Sequence, residues 1–379
     1  MGDRPDQALV DDLADFEIEI PSWGVGRAGT RFEEYTTDDD PETVAERIAA
    51  AGDVYRATGH GRMVSLHFPW DGSSADDVRE VQSLLEEEGL KAGAVNANLF
   101  SMREDGALDD RLRYGSLISP FADVREAVRE HVTDCIEWMR ILDSETLILW
   151  LPDGTNAPGQ ESFFTMYERL ADQLREIAAE LTDDEELLIE YKPFEPAFYA
   201  TTIFDWGAAR SFSEAAGERA SVLVDLGHHL QGANVEQIVA YLIEAGELGG
   251  FHFNDSKYAD DDLPTGSLDP AEVFRIFTTL REAEHRGLKP VDDVAYMLDQ
   301  AHYVRDPTTA MIESIENVQI AYLKSGLVDF EALAAHRAEA EVQEAQAVLQ
   351  DAQRTDVRPI LEAWRAENGV PDDWRTARE

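Results

Sequence analysis

A chain of 379 residues, 44% of them hydrophobic, carries enough apolar material for one large folded domain. Its 78 Asp and Glu against 32 Lys and Arg leave a net charge of −46. That balance excludes a general nucleic-acid binder, because affinity for phosphate backbones comes from Lys and Arg, and it argues against docking on anionic membrane surfaces.

Aromatic and branched aliphatic residues are spread along the chain, so the charge does not signal disorder. It predicts a halophilic, cytoplasmic protein. Near molar salt the Debye length shrinks to about 3 Å and the self-repulsion is screened. Cys135 is the single cysteine and excludes an intrachain disulfide. Its neighbours Ile136, Trp138 and Met139 predict a buried, inert thiol. No apolar run reaches the roughly 18 residues of a membrane span. The opening MGDRPDQALVDD lacks the basic and apolar regions of a secretory signal.

In chain order, residues 1–15 read as a flexible acidic arm. Strands are predicted over 16–20, 63–67, 92–96, 146–150, 187–191, 221–225, 249–253 and 294–298. Several are continuous apolar runs, such as Thr146-Leu-Ile-Leu-Trp150, as strands buried on both faces require. Asp40-Pro41 predicts a helix start with an N-cap carboxylate and Pro at the first helical position, and Asp269-Pro270 repeats it. The clearer helices span 121–142, 160–181, 235–245, 269–284 and 308–325. Eight strands with intervening helices predict an α/β fold, a (β/α)8 TIM barrel over residues 16–328. An open doubly wound sheet is the alternative, without the G-x-G-x-x-G of its dinucleotide-binding form. Residues 329–379 have helix-forming composition and extend the barrel with extra C-terminal helices. They read equally as a solvated tail or as a surface packed on another subunit.

Polar residues gather at the C-terminal ends of the strands. His67 and Trp150 end the second and fourth. Glu190 ends the fifth, with Lys192 two residues on. Asp225 ends the sixth, with His228 three further. His252 lies in the seventh and Asp299 follows the eighth. In a barrel these ends converge on one face. Taken singly, a strand-end Asp caps a turn, a His beside an apolar run is core, and Asp260-Asp-Asp262 is a solvated loop. Together, Glu190, Asp225, His228, His252, Asp260, Asp262 and Asp299 could not crowd uncompensated. Divalent cations are the simple compensation, and mixed carboxylate and imidazole donors suit Mn²⁺, Co²⁺, Zn²⁺ or Mg²⁺. Seven donors exceed the need of one ion and allow a pair roughly 4–5 Å apart. His60, His131, His229, His285, His302 and His336 read as structural.

The motifs Glu190-Tyr-Lys-Pro-Phe-Glu-Pro196, Val224-Asp-Leu-Gly-His-His229 and Gly249-Gly-Phe-His-Phe-Asn-Asp-Ser-Lys-Tyr258, with Asp260-Asp-Asp262, resemble the L-rhamnose isomerase family, in its bacterial branch of broad aldose–ketose specificity. Leu66-His-Phe-Pro-Trp-Asp71 and Leu149-Trp-Leu-Pro-Asp-Gly-Thr-Asn156 are similar too. The resemblance covers roughly residues 16 to 330. It implies a xylose isomerase-like barrel, a homotetramer, a small-molecule sugar substrate and two divalent ions, Mn²⁺ first among them. It further implies that Glu190 bridges the two ions. Asp225, His252 and Asp299 would complete a structural site; His228, Asp260 and Asp262 would complete a catalytic one. Lys192, His67 and Trp150 would contact the sugar, with Lys192 adding positive charge near a developing oxyanion. Leu298-Asp-Gln-Ala-His302 departs from the family pattern, which has a Ser before the His where this chain has Ala301.

The implied activity interconverts L-rhamnose and L-rhamnulose, with L-lyxose, L-mannose and D-allose also open. A ketose 3-epimerase and an abasic-site endonuclease share the barrel and stand as alternatives, with a non-catalytic sugar- or metal-binding protein beside them. The charge opposes the endonuclease. The second donor set opposes the epimerase. Loops 24–35 and 102–120 are expected to shape the pocket.

Overall fold

A computed structural model describes residues 7–26, 40–100, 111–195, 199–257, 260–289, 291–301 and 304–374. His302, Tyr258 and the loop residues 27–35 and 102–110, to which the sequence assigns roles, lie outside the described residues.

Eight parallel strands close a barrel: β1 Glu19–Pro21, β2 Met63–Phe68, β3 Lys91–Ala97, β4 Thr146–Trp150, β5 Glu186–Glu190, β6 Ala220–Asp225, β7 Leu248–Phe253 and β8 Ala295–Leu298. Each pairs with its chain neighbour, and β8 returns to β1 through Glu19 and Met297. The (β/α)8 barrel read from the alternation is therefore the fold. A helix follows each strand, from Val44–Thr58 after β1 to Pro307–Ser325 after β8. The closed ring excludes the open sheet.

Every predicted strand overlaps an observed one. β1 is shorter than expected at its start: Phe16 and Ile18 are buried but unpaired in the ladder, and the strand runs on to Pro21. The first barrel helix does not begin at Asp40-Pro41. It begins after Thr43, whose side chain accepts from Glu46 N while Glu46 reaches back to the Thr43 N–H, a capping box that outcompetes the upstream proline. Asp269 and Asp306 cap their helices ahead of a proline, as the same logic requires.

The arm expected to be flexible is in part a helix, Gln7–Asp15, whose Leu9, Val10 and Leu13 are buried. Its apolar spacing is amphipathic, and the acidic face masks that in a plain composition count. The C-terminal extension forms helices Phe330–Ala338, Val342–Arg354 and Arg358–Asn368. Leu333, Ile360, Leu361 and Trp364 are buried in the same chain's core, so this segment packs on its own barrel. Trp364 stacks on His60, which precedes β2, and this puts the last helix at the N-terminal end of the strands. Among the described residues, no helix is long and apolar enough to cross a membrane.

Side chains of alternate strand residues fill the barrel in layers. Ala94, Ile148, Leu188, Leu223 and Met297 form a buried apolar cluster separate from the outer core between strands and helices. Two positions further toward the C-terminal end stand Asn96, Trp150, Glu190 and Asp225 in their strands, and Asp299 just past the last one. The pleat therefore points them into the barrel mouth.

Candidate metal centre

Glu190 ends β5, Asp225 ends β6, His252 is the penultimate residue of β7, and Asp299 follows β8. Each supplies one donor atom such that all four atoms lie within 4.8 Å of one another. The His252 Nδ1 is 3.2 Å from Glu190 Oε1, 3.5 Å from Asp299 Oδ2 and 3.8 Å from Asp225 Oδ2. Three carboxylates and one imidazole nitrogen thus converge on a single point, a donor set suited to a hard or borderline divalent cation.

The electrostatics point the same way. Burial would push Glu190 up, but the flanking imidazoles of His252 and His228 outweigh it and hold the carboxyl far below its ordinary range. Burial would push His252 down, yet Glu190, Asp299 and Asp225 raise it to about 10. Burial, reinforced by the neighbouring carboxylates, lifts Asp299 to about 7 against the pull of His252, and lifts Asp225 as well. The cluster is one that draws in positive charge.

The supporting groups are in place. Asp225 accepts from Asn254 Nδ2 at 3.0 Å and from Gly227 N at 2.7 Å. Asp299 Oδ1 accepts from Trp23 Nε1 at 2.9 Å. The His228 Nδ1 lies 3.1 Å from the Tyr191 carbonyl and its Nε2 lies 3.3 Å from Asp260 Oδ1. A carbonyl at one ring nitrogen leaves the other as the nitrogen that can ligate.

Asp260 and Asp262 border the same cavity as the first cluster, but the compact group contains neither of them nor His228. His228 bridges the two sets, with its Nδ1 3.2 Å from Glu190 Oε1. Lys192, two residues past β5, is buried and donates to Asp260 Oδ2 at 2.5 Å and to Glu195. Glu195 is presented by a short antiparallel ribbon, Phe194–Glu195 with Tyr199–Ala200. The Lys192 ammonium also sits 5.0 Å from the Trp150 ring centre, a cation–π distance.

Aromatic rings wall the cavity. His67 stacks on Trp70 with centroids 4.0 Å apart, and Trp23 meets His67 edge-on at 5.5 Å. Phe100 meets Trp150 edge-on at 5.2 Å. Burial pushes the His67 imidazole down to about 3, so it is neutral near neutral pH. Its backbone N–H donates to Asp71 Oδ2 at 2.7 Å; the same carboxylate accepts from Ser22 Oγ at 2.5 Å and pairs with Arg47 at 2.7 Å. That buried carboxylate ties the loops after β1 and β2 together beneath His67.

All the residues named from the sequence as donors or sugar contacts therefore meet at one barrel end. Sequence reasoning assigned no role to Trp23, Trp70, Asn96 and Phe100, which line the same cavity. The strand-end rule would have caught Trp23 had β1 been read to Pro21. The histidines read as structural fit that role where described: His229 is bonded to the Tyr191 hydroxyl at 2.7 Å, and His60 to the Leu13 carbonyl at 3.0 Å. Cys135 is buried and its thiol is pushed well above the ordinary range by burial, as an inert core residue should be.

Comparison with known proteins is decisive for the family. Residues 42–303 match the model of the xylose isomerase-like TIM barrel family. The chain belongs to that family. Two relatives are 41% identical: a probable sugar isomerase of Rhizobium meliloti over 94% of this chain and 82% of the relative, and a probable sugar isomerase of Mesorhizobium japonicum over 93% and 81%. Among solved structures, the D-psicose 3-epimerase of Clostridium cellulolyticum superposes with a TM-score of 0.56 over 82% of this chain and 98% of that one. Its sequence is only 13% identical, and the likeness is one of fold. For this member of the xylose isomerase-like family, the cluster at the strand ends is the candidate metal centre.

Proposed function

We propose that this chain is a metal-dependent aldose–ketose isomerase, with L-rhamnose to L-rhamnulose as its reference reaction and other aldoses within its range. The four-donor cluster of Glu190, Asp225, His252 and Asp299, set beside an aromatic-walled cavity, carries this reading. The two relatives named as probable sugar isomerases support it. The narrower choice of L-rhamnose rests on the motif resemblance.

A divalent cation held by those four residues, Mn²⁺ in our proposal, supplies Lewis-acid polarisation of a carbonyl or hydroxyl oxygen. A second ion is proposed at Glu190, His228, Asp260 and Asp262. Lys192 stands at the edge of the cavity with its ammonium fixed between two carboxylates and the Trp150 face. From there it donates toward a sugar oxygen on which negative charge develops. Trp150, Phe100 and Trp70 offer flat apolar walls to the C–H face of a sugar and exclude water. His67, neutral and backed by Trp70, hydrogen-bonds the substrate without adding charge. Assembly as a homotetramer is proposed on the family resemblance alone.

The test is an aldose panel, including L-rhamnose, L-lyxose, L-mannose and D-allose, with chelated protein in molar KCl, with and without added Mn²⁺. Metal-dependent ketose formation is expected. No turnover of any aldose by folded, metal-loaded protein would overturn the isomerase. The second reading, a ketose 3-epimerase, is favoured by one observation: among the described residues the compact donor group is single and suits one ion. Epimerised ketose from D-fructose, with no aldose turnover, would establish it.

A further inference from the structure

We infer that Glu19 is a positioning residue for His252: its Oε1 receives the Nε2–H of the imidazole across one bridging water, and so turns Nδ1 toward Glu190, Asp225 and Asp299. The inference rests on the reading of that cluster as a cation site.

Glu19 sits on β1 in the middle layer of the barrel, among side chains that are otherwise small or apolar. Its carboxylate reaches inward to Ser65 Oγ on β2 at 2.6 Å and to Ala94 N on β3 at 2.7 Å. Both of those bonds end on Oε2, and among the described residues Oε1 has no donor. The barrel is shaped to admit this group. A Cβ at Gly93 would lie 2.1 Å from Glu19 Oε2, so the glycine leaves the carboxylate its place. A carboxylate buried this deeply is costly, since burial pushes its carboxyl upward. Its retention in an apolar layer calls for a partner.

His252 supplies the complementary gap. Its Nδ1 faces the three carboxylates, while its Nε2 is buried without a hydrogen-bond partner. Register places the two residues in one inward-facing row: Glu19 pairs with Met297, and Met297 pairs with His252. Only β8 separates them. A metal-ligating histidine ordinarily gives its other N–H to a carboxylate, a carbonyl or water, which fixes tautomer and ring orientation. Glu19 is the carboxylate the register offers.

The test replaces Glu19 by Gln and titrates metal-free protein with Mn²⁺ by calorimetry, alongside the visible absorption of the Co²⁺ form. The expected result is a 10- to 100-fold weaker affinity and a shifted Co²⁺ band, with the metal-free melting temperature held or raised. Wild-type affinity and an unaltered Co²⁺ spectrum in E19Q would overturn the inference even if its melting temperature changed, since a purely structural carboxylate moves stability alone. A wild-type protein that takes up no divalent cation would overturn this inference and the metal-dependent reading together. If E19Q does not fold, Ser65→Ala removes one anchor of the carboxylate. Weaker Mn²⁺ binding there supports the role, and unchanged binding overturns it.

Discussion

Lys192 and Asp71 are both buried ionic groups, and their surroundings assign them different work. Lys192 sits behind Asp260 and Trp150, which line the cavity, so its removal should act on chemistry. Lys192→Met is expected to lower kcat by about 10²-fold or more, the cost of one lost donor at a developing oxyanion, while Mn²⁺ content by elemental analysis stays at the wild-type value. Asp71 faces inward, so its partner's removal should act on stability. Arg47→Met strands a charge whose side chain is 1% exposed and is expected to cost about 3 kcal/mol in urea unfolding. His60 gives a pH test. Burial lowers it to about 4 from 6.5, so between those values the unfolded chain binds a proton that the folded chain refuses. Its contribution is complete above pH 6.5 and fades as pH falls toward 4. In His60→Gln that dependence disappears, and the stability gap to wild type should narrow by about 1.4 kcal/mol per pH unit across the window.

At the scale of elements, the C-terminal helices are part of the barrel's own packing. Trp364 is 3% exposed and stacks on His60 with ring centroids 4.5 Å apart. Gly59, at φ 74°, ends the first barrel helix where a Cβ would meet the Trp364 ring at 2.5 Å. Left-handed backbone and contact both demand glycine there. Trp364→Ala should cost about 3–5 kcal/mol, read as a lower urea midpoint with kcat/KM unchanged, since the strand ends carrying the site are at the opposite face. Helix caps and strand runs were legible because they are local: Thr43 with Glu46, Asp269 with Pro270, and Thr146 to Trp150 each declare themselves within a few residues. The placement of the arm and the last helix was not, because it depends on contacts between distant parts of the chain: His60 meets the Leu13 carbonyl, the Gln319 amide at 2.7 Å and the Trp364 ring.

For the whole molecule, the net charge of −46 predicts a fold that is most stable in concentrated salt. Folding gathers this charge onto one surface, and added salt screens it. The melting temperature is expected to rise by several degrees between 0.1 and 2 M KCl, followed by circular dichroism. A flat or falling curve would mark an acidic protein fitted to dilute buffer.

The sequence by itself determined the barrel, since alternating apolar strands and amphipathic helices have few other ways to bury both faces. It also determined which strand ends carry ionisable groups, from Glu190 to Asp299. The motif resemblance proposed which of those groups share a centre, and the tertiary structure gave that centre its distances. It gathered Glu190, Asp225, His252 and Asp299 into one donor set, with His228 between that set and Asp260, and it gave Lys192 its two carboxylate partners. It also brought Trp23 onto Asp299 and laid Glu19 in the row of His252. These are contacts between strands remote in sequence, and their distances follow from barrel closure and register, which no local pattern encodes.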